Sequence, residues 1–166
     1  MKNKISSLVL VTFFILGLQE CYSQNTKISK EQLIGVWQEK TEKIGTSLLD
    51  NYQFFPTGEF IFNITGYDEI NRIVSIKGKY SLSNDTLYFK VESTDEIVGG
   101  EITRNNLTSI HNSWSFTNYK HIIVQQNGTF EQIAIIELCD TSLKSMCIYI
   151  DNNKFYKISD NPKKFD

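Results

Sequence analysis

The feature that most constrains this chain is a series of short segments in which apolar and polar residues alternate. Phe60, Phe62 and Ile64 are spaced two apart, and the same spacing recurs along residues 72–82. A Pro-Thr-Gly sequence at 56–58 separates the first of these segments from the one before it and has the composition of a tight turn. Alternation with a period of two is typical of half-buried strands. The chain is therefore predicted to be all-β.

Short turns between successive strands favour an up-and-down antiparallel sheet. A sheet of about eight to ten twisted strands removes its exposed edges by closing, which predicts an up-and-down antiparallel β-barrel. A capping-box sequence at Ser29–Gln32 predicts a short helical turn before the first strand. Later in the chain, Asn127-Gly128 predicts a two-residue hairpin turn, and Gly99-Gly100 predicts a bulge or a sharp corner.

Residues 1–23 have the layout of a secretory signal peptide, with a basic start, an apolar run over 5–18 and small residues before the cut. The apolar run is shorter than the roughly twenty residues that span a membrane. A lipoprotein signal acylated on Cys21 is the alternative, but Glu20 occupies the position where such a signal prefers a small residue. We expect residues 24–166 to form one exported domain, periplasmic or secreted.

Charge and motif content exclude several classes of function. The formal net charge is −2, and no basic stripe is present, which argues against nucleic acid as a partner. The two histidines, His111 and His121, are ten residues apart and lack the spacing of a metal site. Because no catalytic constellation is visible, we expect a protein without enzymatic activity, metal or cofactor.

Two cysteines, Cys139 and Cys147, remain after the leader. In an oxidising compartment they could form a disulfide. If residues 140–142 make a tight turn, however, the two cysteines lie out of register across the hairpin, and a disulfide needs a narrow range of Cα separation. The favoured prediction is a pair of buried, unpaired cysteines.

Several short motifs, taken in order, resemble the bacterial lipocalin-like domains, which are exported calycin-type β-barrels. They are Gly35-Val36-Trp37 after a helical turn, an aromatic strand leading into 56–60, and Gly78-Lys79-Tyr80. The resemblance implies that Trp37, beside Gly35, closes one end of the barrel. In the wider family an arginine near the last strand packs against this tryptophan, whereas here only Lys154 or Lys157 stands near that position.

The resemblance implies binding of a small apolar molecule in the barrel lumen. An apolar wall with a few polar tips suits such a ligand, and the hydroxyls of Tyr52 and Tyr80 are expected to orient it. The alternative is a protein-interaction or inhibitor module that uses the loops or the outer face, since residues 95–120 are irregular and rich in aromatics. The predicted lumen residues are Tyr52, Phe54, Phe62, Ile76, Tyr80, Phe89 and Trp114.

Overall fold

The computed structural model describes residues 27–44, 49–65, 70–105, 113–139 and 145–164. The predicted leader, the predicted turn at 140–142 and His111 lie outside these ranges. No helix within them is long and apolar enough to cross a membrane.

Eight strands close into one antiparallel barrel within the described residues, which confirms the predicted fold. Each strand pairs with its neighbours in the sequence, and the last strand pairs with the first. The elements are α1 (Lys30–Leu33), β1 (Gly35–Glu39), β2 (Asn51–Phe54), β3 (Glu59–Asn63), β4 (Ile73–Ser83), β5 (Thr86–Asn105), β6 (Ser113–Leu138), β7 (Cys147–Ile150) and β8 (Asn153–Ser159).

The single helical turn α1 is stabilised at its start by reciprocal hydrogen bonds between Ser29 and Gln32. The Ser29 hydroxyl accepts a hydrogen bond from the backbone N–H of Gln32 at 3.2 Å. The Gln32 side-chain Oε1 accepts one from the backbone N–H of Ser29 at 2.8 Å. This reciprocal pair is the predicted capping box. Leu33 at the end of the turn is fully buried, so α1 covers one end of the barrel.

The alternating residues of the barrel strands place one apolar set inside. Phe54, Leu87 and Ile148 have no exposed surface, and Phe60 and Phe89 are 3% exposed. Burying each such side chain contributes roughly 1.5–3 kcal/mol, so this cluster is the principal source of stability.

The β5–β6 hairpin extends far beyond the rest of the barrel. Pairing between β4 and β5 reaches only Glu96, whereas β5 and β6 remain paired out to Asn105. Gly99 and Gly100 have φ angles of +70° and +77°, and Asn118 on β6 has a φ of +55°. The pairing register does not shift there, so the structure forms no bulge at the glycines. Three left-handed residues redirect the ribbon instead, because regular strands need negative φ.

The prediction of a hairpin turn at Asn127-Gly128 is wrong. Both flanking segments belong to β6 and both pair with β5, through Ser93 opposite Gln125 and Val91 opposite Phe130. Residues 126–129 therefore lie opposite Glu92 alone, as a bulge with three extra residues in β6. Long-range pairing with β5 on both sides outweighs the local turn preference.

The prediction of unpaired cysteines is also wrong, because Cys139 and Cys147 form a disulfide with a Cα–Cα distance of 5.4 Å. The expected misalignment assumed a tight turn directly after Cys139. Leu138 instead pairs with Ile148, which brings the two cysteines opposite each other. The Cys139 amide donates to the Cys147 carbonyl at 3.1 Å.

Candidate ligand-binding site at the barrel rim

The closed end of the barrel is built around Trp37, which is fully buried. Its indole Nε1 donates to the Leu33 carbonyl at 2.6 Å, which joins β1 to α1. Lys157 lies over the indole ring, with Nζ 5.6 Å from the ring centroid. The same Nζ donates to the Gln32 carbonyl at 2.8 Å and pairs with Asp160 at 2.7 Å. Lys157, one of the two lysines that the sequence analysis considered, is therefore the basic residue beside Trp37.

Gly35 allows β1 and β8 to meet closely beside this tryptophan. Its φ of +132° is a conformation that other residues rarely adopt, and a Cβ atom there would overlap the carbonyl oxygen of Ser159. The hydrogen bond and charge of Lys157 hold the pKa of the neighbouring Asp160 below its usual value, so the carboxylate stays ionised.

The barrel interior brings together most of the predicted lumen residues, but packs them against one another. The ring of Tyr52 lies 4.4 Å from Phe62, 5.3 Å from Phe54 and 5.6 Å from Phe89, measured between centroids. The Phe54 and Tyr80 rings meet edge to face at 4.9 Å. Separations of 4.5–7 Å are those of packed aromatic pairs. These rings, with Ile76 packed against them, form one contiguous cluster in the barrel interior.

The hydroxyls of Tyr52 and Tyr80, which were predicted to orient a ligand, lie in environments set by the protein itself. The Tyr80 hydroxyl donates to the Phe55 carbonyl at 3.0 Å. Burial raises the pKa of Tyr52 to about 12, and the negative charges of Asp151, Glu39 and Asp50 add to the shift. Tyr52 is therefore a neutral phenol whose ionisation the barrel opposes.

Trp114 lies apart from this interior, on the projecting β5–β6 ribbon, and is 51% exposed. It lines a cavity of about 270 Å³ between the ribbon and the chain that connects β3 to β4. We call this cavity the rim cleft. Its walls include Ile64, Ile73, Ile97, Trp114, Phe116 and Tyr119.

Arg72 holds the ribbon over the rim cleft. Its guanidinium lies 4.6 Å from the centroid of the Phe116 ring. The same group donates to the Ile97 carbonyl at 3.2 Å and to the Gly99 carbonyl at 3.0 Å. Because one of these carbonyls belongs to Gly99 and the other lies two residues before it, Arg72 anchors the ribbon where it changes direction.

A hydrogen-bonded pair, His121 and Asp95, lies beside the rim cleft with Nδ1 and Oδ1 3.0 Å apart. His121 lines the cleft, and the Tyr119 ring packs edge-on against it at 5.4 Å. The described ranges contain no group of three or more residues arranged to hold a metal ion.

A second cavity, of about 420 Å³, adjoins the rim cleft on the outer face of β2, β3 and β4. We call it the polar cavity. Asn51, Gln53, Asn63 and Ser75 line it, and it shares Ile64 and Val74 with the rim cleft.

Reasoning from the sequence missed most of the rim cleft. Ile97 and the anchoring Arg72 were not predicted as site residues, because only the folded ribbon brings Ile97 beside Trp114 and Arg72 beside Phe116. The Gly99-Gly100 pair was the available indication, since it predicted a change of chain direction near the aromatic segment.

Comparison with known proteins gave no match: no family model, no curated protein and no solved structure matches this chain. The fold by itself defines the class: a closed eight-stranded antiparallel β-barrel, compatible with a calycin-like architecture.

Proposed function

We propose that this protein is an exported, lipocalin-like barrel that binds a small apolar molecule without transforming it. The proposed binding position is the rim cleft, not the lumen that the sequence suggested. The observation that supports this position is the folding of Trp114 and Phe116 over the isoleucines of the barrel rim.

The barrel lumen is a poor binding site because aromatic side chains of the barrel pack together inside it. Phe54, Phe60 and Phe89 are at most 3% exposed and contact one another or their neighbours through ring pairs at packing distance. A ligand there would have to displace several aromatic side chains, each worth roughly 3–5 kcal/mol when removed from a core.

The rim cleft is suited to a compact apolar molecule by its wall chemistry and its size. Ligand pockets are typically about 300–1,000 Å³, and the rim cleft is close to the lower limit. Trp114 also remains half exposed there, so a bound molecule would cover apolar surface that water now contacts. Covering apolar surface contributes about 0.8 kcal/mol per CH₂. After the costs of association, we expect a Kd between about 10 µM and 1 mM for an eight-carbon alcohol.

Titration with 1-octanol tests this function directly. The chain has two tryptophans, Trp37 in the closed end and Trp114 in the rim cleft, so octanol should change the emission of Trp114 and leave that of Trp37 unaltered. Ile97→Ser places a polar group in the cleft and should weaken binding about tenfold. Ile133→Ser, at a 60% exposed position outside the cleft, is the matched control. Unchanged emission, or equal binding by both variants, would refute the rim cleft as the site.

Export is tested separately by mass spectrometry of the intact protein from its own host. The proposal predicts a chain that begins at residue 24 and carries the Cys139–Cys147 disulfide. Disulfides persist in oxidising compartments, so this pairing supports an exported location. A full-length chain that begins at Met1 would contradict it.

A protein partner is the second candidate function, because an apolar patch lies on the outer face of β5 and β6. Tyr88 and Ile133 are directly paired across the strands and are 41% and 60% exposed, and nearby Ile135 is 51% exposed. Exposed apolar patches of this kind mark interaction surfaces. Native mass spectrometry of protein from its host distinguishes the two candidates by a retained small molecule or a retained protein.

A further inference from the structure

We infer that the polar cavity receives the uncharged, hydroxyl-rich headgroup of the same molecule whose apolar part lies in the rim cleft. The natural ligand is then an amphiphile with a polyol head. This inference rests on the proposed function and specifies the chemistry of its ligand.

Two nearly buried polar side chains in the polar cavity have no hydrogen-bond partner among the residues that the structure describes. Gln53 is 4% exposed and Ser75 is 5% exposed, and neither side chain hydrogen-bonds to any residue in the described part of the chain. No fully buried side-chain nitrogen or oxygen atom in the described residues lacks a partner, so the free polar atoms of Gln53 and Ser75 face the solvent in the cavity. The cavity of about 420 Å³ beside them is far larger than one water molecule requires. Both side chains are therefore available to a ligand.

The neighbouring amides help to define what the cavity can bind. The Asn63 side-chain Nδ2 donates to Asn51 Oδ1 at 3.0 Å, and the Asn51 Nδ2 donates to the backbone carbonyl of Leu49 at 2.8 Å. Asn63 Oδ1 remains as an acceptor, beside the carboxamide of Gln53 and the hydroxyl of Ser75. Such a mixture of donors and acceptors matches hydroxyl groups, which donate and accept at once.

The charges around the polar cavity balance one another. Lys77 and Asp95 both line it, and one carboxylate oxygen of Asp95 is already bonded to His121. A headgroup with a net charge would meet one attractive and one repulsive partner. An uncharged headgroup avoids this conflict and still satisfies Gln53 and Ser75.

The two cavities adjoin, so one molecule can place its polar headgroup in the polar cavity and its apolar chain in the rim cleft. They share Ile64 and Val74 as walls, and the Asp95–His121 pair contributes one residue to each. A molecule with an apolar chain in the rim cleft therefore has its polar end beside Gln53. The polar cavity has no aromatic residue in its wall, and the rim cleft lacks Gln53 and Ser75.

Calorimetry with four amphiphiles that carry an eight-carbon chain tests the inference, with 1-octanol as the reference. Each amphiphile is kept below its critical micelle concentration. Octyl glucoside and mono-octanoyl glycerol should bind at least about tenfold more tightly than 1-octanol, because they add hydrogen bonds to buried partners. Octyl sulfate and octyltrimethylammonium should bind no more tightly than octanol. The ratio between the glucoside and the glyceride identifies a sugar or a glycerol as the preferred head.

Substitution of Gln53 provides the matched test. Gln53→Leu keeps the size of the side chain and should reduce the preference for octyl glucoside over octanol to within about twofold. Gln132→Leu, at an exposed position of β6, should preserve the full preference. If circular dichroism shows that Gln53→Leu does not fold, Ser75→Ala removes the other free group and should reduce the preference severalfold.

The possible outcomes separate this inference from the proposed function. If octanol binds but no polyol amphiphile binds better, the headgroup inference is overturned and the rim cleft stands. If neither class of molecule binds, the proposed function itself fails. A preference for octyl sulfate would also overturn the inference, since it would indicate an anionic headgroup held by Lys77.

Discussion

The two tryptophans of this chain lie in opposite environments. Trp37, in the closed end, is fully buried, and its indole donates to a backbone carbonyl at 2.6 Å. Trp114, on the rim, is 51% exposed and has the Arg104 guanidinium 6.0 Å from its ring. Both ends use side-chain contacts to backbone carbonyls, from Lys157 at the closed end and from Arg72 at the rim. The difference is that the closed end packs its apolar surface completely, whereas the rim leaves part of it uncovered.

This difference indicates that the two ends of the barrel contribute differently to stability and to ligand binding. Residues at the closed end contribute to stability because each is buried and has a defined partner. Residues at the rim contribute less to stability, because part of their apolar surface still contacts water and is free to contact a ligand. Matched substitutions at the two ends can test this division.

The largest difference is expected between the two tryptophan-to-alanine substitutions. Trp37→Ala should lower the free energy of unfolding by about 3–5 kcal/mol, because it leaves a cavity in the core and removes the bond to Leu33. Trp114→Ala should cost less than about 1 kcal/mol, because half of its surface is already exposed. Urea denaturation followed by circular dichroism measures both. Similar losses at the two positions would remove the distinction between the ends.

Glycine substitutions are expected to give the next largest difference. Gly35→Ala should cost about 3 kcal/mol, because the left-handed φ is combined with a clash against Ser159. Gly99→Ala should cost only about 1 kcal/mol, because its φ of +70° is unfavourable but no atom lies within 4 Å of the added Cβ. Thermal unfolding of both variants tests this order. A larger loss at Gly99 would mean that the ribbon contributes more stability than its contacts suggest.

Alkaline conditions should weaken the interior through Tyr52. Its pKa in the folded protein is about 12, above the ordinary value of 10. The folded state therefore binds the phenolic proton more tightly, and this stability is fully present below pH 10 and is lost as pH rises towards 12. Between these values the wild type should lose about 2–3 kcal/mol more than Tyr52→Phe in urea denaturation. Equal losses would show that the phenol is accessible to water.

The smallest difference is expected between two lysines of β8. Lys157→Met removes a charged donor from the Gln32 carbonyl and should cost about 1.5 kcal/mol. Among the described residues, Lys154→Met removes side-chain contacts with the rings of Tyr149 and Tyr156, and it should cost less than about 1 kcal/mol. The extra cost at Lys157 should diminish in acid, because its partner Asp160 is protonated as pH falls through its lowered pKa. Chemical denaturation at neutral and acid pH measures both effects.

Much of the fold was predictable because it depends on neighbouring residues. The alternation at Phe60 and Phe62 reports which face of a strand is buried, and the capping box at Ser29 satisfies itself within one turn. The candidate site was less predictable. Of the seven predicted lumen residues, Trp114 alone lines the rim cleft, because the fold-back of the ribbon depends on contacts between Arg72 and residues far along the chain.

The amino-acid pattern by itself determined that the described chain forms alternating strands and begins with a capped turn, since local spacing decides these features. Closure into a barrel was inferred from the number of strands and is made by pairing of β1 with β8 at the far end of the chain. Tertiary structure alone decided where β5 ends, why Asn127-Gly128 stays within a strand and how Cys139 meets Cys147. The tertiary structure also decided that the aromatic side chains of the interior pack against one another, whereas those at the rim line a cleft. These outcomes depend on register between distant strands, which a single sequence does not encode locally.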